Sequence, residues 1–213
     1  TGCYWNSIAN GCYWKCRLQI TNKDDYLPSC LVSDAWNTTI DLNDKKNKWN
    51  AGGSVSVSDV MGKNDKNTLG YSHSVYFGKT SGKFNFNIWQ ELYDAKYDKS
   101  DLGYFTNNNT MDQGIYMGYS WIKPRKWFNR LRLNFNTFYS RLVTPLDVLN
   151  RKEMIYQNGG GNVNMNGQTK KLWFLGAAFN WRYNNNDFYE SRVAGRVFQD
   201  KGRVNMGLFW GSN

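Results

Sequence analysis

Apolar and polar residues alternate along most of this chain with a period of two, the repeat of a strand with one apolar and one polar face. Residues 14–21 set Trp14, Cys16, Leu18 and Ile20 against Lys15, Arg17, Gln19 and Thr21. Residues 49–58 set Trp49, Ala51, Val55 and Val57 against Asn50, Ser54, Ser56 and Ser58. Residues 113–121 oppose Ile115, Met117, Tyr119 and Trp121 to Gly114, Tyr116, Gly118 and Ser120. Leu131, Leu133, Phe135 and Tyr139 oppose Arg130, Arg132, Asn134 and Asn136. Residues 173–183 carry Trp173, Leu175, Ala177, Phe179, Trp181 and Tyr183 against Gly176, Asn180 and Arg182. The last segment sets Val204, Met206, Leu208 and Trp210 against Arg203, Asn205 and Gly207. Weaker alternation runs through 32–42, 69–77, 84–92 and 154–167, where Asn162, Asn164 and Asn166 interleave with Val163 and Met165. About ten strands are predicted, most near the length that lets a tilted strand cross a bilayer.

The expected connections are short at 43–48, 80–83, 123–129 and 168–171, and longer at 22–29, 59–68, 94–112, 142–160 and 184–202. Alternating short and long links are the habit of outer-membrane barrels, with tight periplasmic turns and long external loops. An even strand count would leave both chain ends on the periplasmic side. Charge agrees with this pattern, since Lys15, Arg17, Arg130, Arg132, Arg182 and Arg203 all fall in the polar register, away from the face expected to meet lipid. Leu131, Leu133, Phe135, Trp173, Leu175, Phe179, Val204, Met206 and Leu208 take that lipid-facing register, and the arginines 130, 132, 182 and 203 the lumen. Asp34, His73 and Gln90 break the rule, Asp34 as a boundary residue and the other two unless a bulge shifts the phase. Trp14, Trp36, Trp49, Tyr93, Trp121, Trp181 and Tyr183 stand near strand ends, as interfacial girdles do, although cross-strand aromatic pairing gives the same placement.

Composition changes the picture in three ways. Hydrophobic residues are 40% of the 213, yet no apolar run approaches the roughly 20 residues of a membrane helix. The mean hydropathy of −0.70 fits a barrel as readily as a soluble protein, because half of each barrel strand faces a polar lumen. Aromatics are 17% and prolines 3, which favours strands. The net charge of +10 is dispersed apart from the cluster at 123–126, so anionic lipid and lipopolysaccharide phosphate are the expected partners, and nucleic acid is not. The chain opens at Thr1 without a recognisable leader, as a mature chain or a fragment would.

Candidate chemistry is sparse, and no enzyme is expected. The single histidine, His73, lies between Ser72 and Ser74, whose side chains take the opposite face of a strand. A hydrolase reading would need His73 with Ser and Asn from other strands. Asp94, Asp98, Asp101 and Asp112 fall in one expected loop without the spacing of a calcium loop, and Lys96 and Lys99 interleave with them. Cys12 and Cys16 stand roughly 13 Å apart on a strand, too far to share a metal. A Cys16–Cys30 bridge between neighbouring strands is feasible, and Cys3 follows a glycine. The run 159–161 lacks the Lys-Ser/Thr of a phosphate loop. No cofactor or metal is expected.

Three stretches carry a family resemblance. They are Ser100-Asp101-Leu102-Gly103-Tyr104-Phe105, the run from Tyr189 to Phe198 with Glu190, Arg192, Gly195 and Arg196, and residues 34–42 followed by 49–57. In these the chain resembles a Bacteroidota family of outer-membrane proteins of unknown function, in which a carbohydrate-binding family 9-like domain precedes a C-terminal β-barrel. The resemblance covers about residues 30–213 and leaves 1–30 as a poorly matched segment with the first strand. It implies that the sugar-binding-like domain and the first barrel strands lie outside this chain. The expectation is therefore an all-β, antiparallel transmembrane barrel, or part of a larger one, in the bacterial outer membrane. It would act as a cell-surface scaffold, conduit or assembly partner with other outer-membrane or surface proteins, linked by the resemblance to glycans. The alternatives are an anion-favouring pore and an outer-membrane hydrolase.

Overall fold

The structure, a computed structural model, describes residues 4–7, 12–17, 32–61, 67–98, 108–144, 155–188 and 196–212. For 4–7, 12–17 and 32–38, and at Met61 and Asn67, it describes the backbone alone. Among the described residues the regular structure is entirely β. Strands β1 (Tyr4–Ser7), β2 (Cys12–Arg17), β3 (Val32–Asn43), β4 (Trp49–Met61), β5 (Asn67–Lys79) and β6 (Phe84–Tyr93) follow one another. Then come β7 (Thr110–Trp121), β8 (Phe128–Leu142), β9 (Ile155–Thr169), β10 (Phe174–Arg182), β11 (Asn185–Asp187), β12 (Phe198–Asp200) and β13 (Arg203–Gly211). All but β11 and β12 form one eleven-stranded sheet, each strand antiparallel to the next, with β13 beside β10. The short β11 and β12 pair with each other in the connection between β10 and β13. Among the described residues β1 and β13 are the edges and do not pair with each other.

The turns show why the chain reverses where it does. After β3, one oxygen of the Asp44 carboxylate accepts N–H from Trp49 at 2.8 Å and from Lys48, while the other accepts from Lys46 at 3.2 Å. The Trp49 amide is the main reason the Asp44 carboxyl titrates below its ordinary value, with the Lys48 and Lys46 amides adding to it against the opposing pull of desolvation. Asn47 takes the left-handed conformation that this turn needs (φ 49°), as Gly82 does between β5 and β6 (φ 93°). Leu172 does the same between β9 and β10 (φ 65°), at a cost of about 1–2 kcal/mol for a residue with a Cβ.

Several expectations change. Among the described residues the sheet has eleven strands, an odd number, so the start of β1 and the end of β13 lie at opposite ends of it. The long link expected over 59–68 shrinks to 62–66, because β4 and β5 pair along their whole lengths from Met61↔Asn67 to Trp49↔Lys79. Short and long links still alternate beyond it, at 80–83, 94–109, 122–127, 143–154, 170–173 and 183–202. The expected pairing of Cys16 and Cys30 lies outside the described residues.

A packed interior is nearly missing. Among the described residues the buried hydrophobic side chains are Tyr97, Phe128 and Leu142. A soluble chain of this length ordinarily buries a continuous core.

Candidate functional site

The ladder registers assign every described strand residue to one of two faces. Phe77, Ile88, Ile115 and Thr137 form one row across β5 to β8, and Phe86, Met117, Phe135 and Val163 another. Leu131 and Leu133 of β8, Leu175 and Phe179 of β10, and Val204, Met206 and Leu208 of β13 share this apolar face. Trp173 departs from its expected strand position. It sits in the turn before β10, where its N–H donates to Thr169 Oγ1 at 3.2 Å and its carbonyl accepts from the Thr169 N–H at 2.8 Å, and the strand begins at Phe174. The apolar face is uncovered: Leu69 is 61% exposed, Leu208 76% and Met206 80%. Aromatic pairs flank it at both ends, Trp49 on Phe77 (5.7 Å) and Tyr119 on Trp121 (4.5 Å) near the short turns, and Tyr139 on Tyr156 (5.2 Å) near the long links.

The opposite face is a hydrogen-bonded polar surface. Asn134 Nδ2 donates to Asn164 Oδ1 (2.8 Å), Asn136 Nδ2 to Asn162 Oδ1 (3.0 Å), and Asn164 Nδ2 also to Asn162 Oδ1 (3.1 Å). Arg132 joins through Nε to Asn134 Oδ1 and through Nη2 to the Tyr116 hydroxyl, both at 3.0 Å. Further along, Tyr76 donates to Asp41 (2.7 Å), and the Ser54 and Ser74 hydroxyls lie 2.8 Å apart. Large rings lie over glycines here: a Cβ on Gly52 would stand 2.5 Å from the Tyr76 hydroxyl oxygen, and one on Gly114 2.5 Å from Trp89. Arg130 opposes Gln168 after a register shift at Phe128/Arg130, which keeps it on the polar face. Arg182 and Arg203 face each other directly across β10 and β13.

At the long-link end, residues 94–98 fold back over this polar face. Asp94 Oδ1 accepts N–H from Lys96 (2.9 Å) and Tyr97 (2.6 Å), and the Asp98 N–H donates to Ser58 Oγ (3.0 Å). Tyr97 is 4% exposed, and a Cβ on Gly70 would collide with its backbone. Asn109 ties the fold-back to the β8 end, its side chain meeting Thr144 O (2.9 Å) and N (2.7 Å). This geometry also disperses the expected acidic group. Asp94 is a turn acceptor, whereas Asp112 sits within β7 opposite Glu91, and Asp101 lies outside the described residues. Among the described residues no group of three or more His, Cys, Asp or Glu is placed to hold a metal.

Of the three residues that broke the alternation, Asp34 is described by its backbone alone, opposite Asp59 in the β3–β4 ladder, and the other two have a specific arrangement. No register shift occurs in the β4–β5 or β5–β6 ladders, so His73 and Gln90 do occupy the apolar face. His73 Nε2 lies 3.2 Å from Gln90 Nε2, and Gln90 Oε1 accepts from Gln113 Nε2 at 2.8 Å. Sequence reasoning missed Gln113, although it too stands in the apolar register. The sequence-predicted lumen arginines split into separate places. Arg132 lies within the asparagine network, whereas Arg182 on β10 stands opposite Arg203 on the edge strand β13. Of the family-motif residues, Asp101, Leu102, Gly103, Glu190, Arg192 and Gly195 fall outside the described residues, and Arg196 is exposed.

No curated protein and no solved structure matches the chain. The model of one protein family, described as Domain of unknown function (DUF5916), matches residues 32–213, from the first residue of β3 through the last strand. The antiparallel sheet with one uncovered apolar face and one hydrogen-bonded polar face is thus the architecture of a chain that belongs to the DUF5916 family.

Proposed function

We propose that this sheet is the wall of an outer-membrane β-barrel, its apolar face against lipid and its polar face toward a lumen. The observation that carries the reading is the uncovered apolar face, from Leu69 on β5 to Met206 and Leu208 on β13, in a chain with almost no buried hydrophobic side chains among the described residues. In water a continuous apolar surface of this kind is unfavourable, and soluble monomers ordinarily keep such patches to a few hundred Å². In a bilayer it is the favourable surface, and strand-to-strand hydrogen bonding satisfies the backbone. In this reading the protein works at the cell surface as a scaffold, conduit or assembly partner. The long links 94–109, 143–154 and 183–202 face outward, toward surface proteins or glycans. The glycan connection, like the Bacteroidota origin, rests on the resemblance to proteins with an upstream carbohydrate-binding family 9-like domain. Phase partition in a cloud-point detergent, followed by reconstitution into lipid vesicles, tests the placement. Recovery in the aqueous phase without vesicle insertion would sink it.

A second reading, an anion-favouring pore, draws on Arg130, Arg132, Arg182 and Arg203 on the polar face. The fold-back of residues 94–98 narrows the same face at the long-link end, which favours the scaffold. Planar-bilayer recording separates them, because a pore gives steps with an anion-selective reversal potential and a scaffold gives none. For a hydrolase, His73 lies on the apolar face against Gln90, with Ser72 and Ser74 on the other side of the sheet. Those two serines therefore lend the hydrolase reading no support.

A further inference from the structure

We propose that the apolar face carries a specific lipid site built around His73, Gln90, Gln113 and Arg141, and that its occupant is a phosphorylated glycolipid whose acyl chains bear amide and hydroxyl groups, the lipid A type. The inference rests on the membrane reading above and adds a ligand to it.

Polar side chains inside an apolar face carry a desolvation cost unless they find partners. Here His73, Gln90 and Gln113 are joined by hydrogen bonds, and Arg141 stands in the same register nearby. Val75, Gln90, Gln113 and Tyr139 form one cross-strand row, and His73, Leu92, Met111 and Arg141 form the next row toward the long links. The chain Gln113–Gln90–His73 satisfies only part of its own capacity. With the Gln90 amide donating, His73 Nε2 accepts, and the neutral ring then carries its proton on Nδ1. His73 Nδ1 is shielded from solvent and meets no partner, and Arg141 Nε is in the same condition. The Arg141 guanidinium lies over the Tyr139 ring, 4.8 Å from its centroid.

A hollow of about 630 Å³ opens beside this cluster, with Val75, Phe77, Ile88 and Ile115 in its walls and Gln90 and Gln113 as a polar patch, while His73 and Arg141 stand just beyond its lining in the next row. Apolar walls suit an acyl chain. The glutamines match an amide or hydroxyl carried on that chain, and Arg141 matches a phosphate. The order along the strands also fits. Arg141 lies two residues nearer the long links than Tyr139, roughly 7 Å along the strand, so the charged end of the lipid points outward and its chain inward.

The test is a native mass-spectrometric titration of the full chain in detergent with purified lipid A. Phosphatidylglycerol serves as an anion without amide or acyl hydroxyl groups. The expected result is at least a tenfold preference for lipid A, erased in the Gln90→Leu/Gln113→Leu double variant. Arg141→Gln is expected to weaken binding of lipid A about tenfold. Each variant is first shown to keep the heat-sensitive electrophoretic mobility of the parent. Equal retention of the two lipids, or a preference untouched by all three substitutions, overturns the site while vesicle insertion still supports the barrel. Efficient disulfide-linked dimers of Gln113→Cys in vesicles overturn it in favour of a second copy on this face. Failure to enter vesicles at all defeats the underlying reading instead.

Discussion

Placing arginine on either side of one strand distinguishes lipid from water on the apolar face. Met206 and Asn205 are neighbours on β13, opposite Phe179 and Asn180 of β10, and they project to opposite faces. Met206 is 80% exposed, so its replacement sacrifices little packing. If that exposure is to water, Met206→Arg is an ordinary surface substitution, within about 0.5 kcal/mol of the parent. If it is to hydrocarbon, an arginine near mid-bilayer costs about 2–4 kcal/mol, which lowers the folding equilibrium roughly 30- to 1,000-fold. Asn205→Arg adds the same side chain to the polar face and is expected to stay within about 0.5 kcal/mol in either environment. The assay is denaturant-induced unfolding from lipid vesicles, followed by tryptophan fluorescence, with both variants measured beside the parent. The difference between the two positions is the informative quantity, because it cancels effects of added charge. Matching stabilities for Met206→Arg and Asn205→Arg would refute a lipid-facing apolar surface.

Other substitutions test the parts of the sheet separately. Gly114→Val places a branched side chain where even a Cβ would stand 2.5 Å from Trp89, so a loss of about 1–3 kcal/mol is expected in the same unfolding assay, largely recovered by adding Trp89→Ala. Asn134→Leu removes the acceptor shared by Arg132 and Tyr116 and the donor to Asn164, and about 1–2 kcal/mol should be lost. A full neutral result there would mean that lumen water replaces the network. Asp44→Asn should weaken the β3–β4 turn near neutral pH. Because folding lowers the Asp44 titration, its ionised contribution is present above the carboxyl's unfolded value and disappears as pH falls through the lower folded one. The parent and Asp44→Asn should therefore converge in stability in acid, and a constant difference across that range would contradict the turn geometry. Leu172→Gly should stabilise by up to about 1 kcal/mol, since glycine takes the left-handed conformation without strain.

The faces were legible from the sequence because strand alternation is local. Knowing that Leu131, Leu133 and Phe135 share a side requires only the chain's own period. What alternation hides is pairing. His73, Gln90 and Gln113 come from three strands, and nothing local shows that registers bring their side chains to hydrogen-bonding distance. A usable signal was present, since all three are polar residues in apolar phase. The fold-back of residues 94–98 was illegible for a related reason. It depends on small residues elsewhere, Ser58 and Gly70, leaving room for Tyr97. The expected link at 59–68 failed because polar Asp59 and Thr68 look like loop residues, yet they continue a ladder closed by pairing between two strands. Trp173 stood in perfect phase with β10, but phase does not say where a turn gives way to the strand.

The odd number of strands has a consequence for how such a wall could meet itself. In an up-and-down sheet direction flips at every step, so the first and eleventh strands point the same way. Bringing β1 directly against β13 would make a parallel seam, with slanted hydrogen bonds and slightly weaker pairing than at every other junction. Inserting any odd number of strands between them restores antiparallel pairing all the way round. A parallel pattern of main-chain bonds at any one junction of such a closed wall would therefore mark an odd total, and antiparallel bonds at every junction an even one.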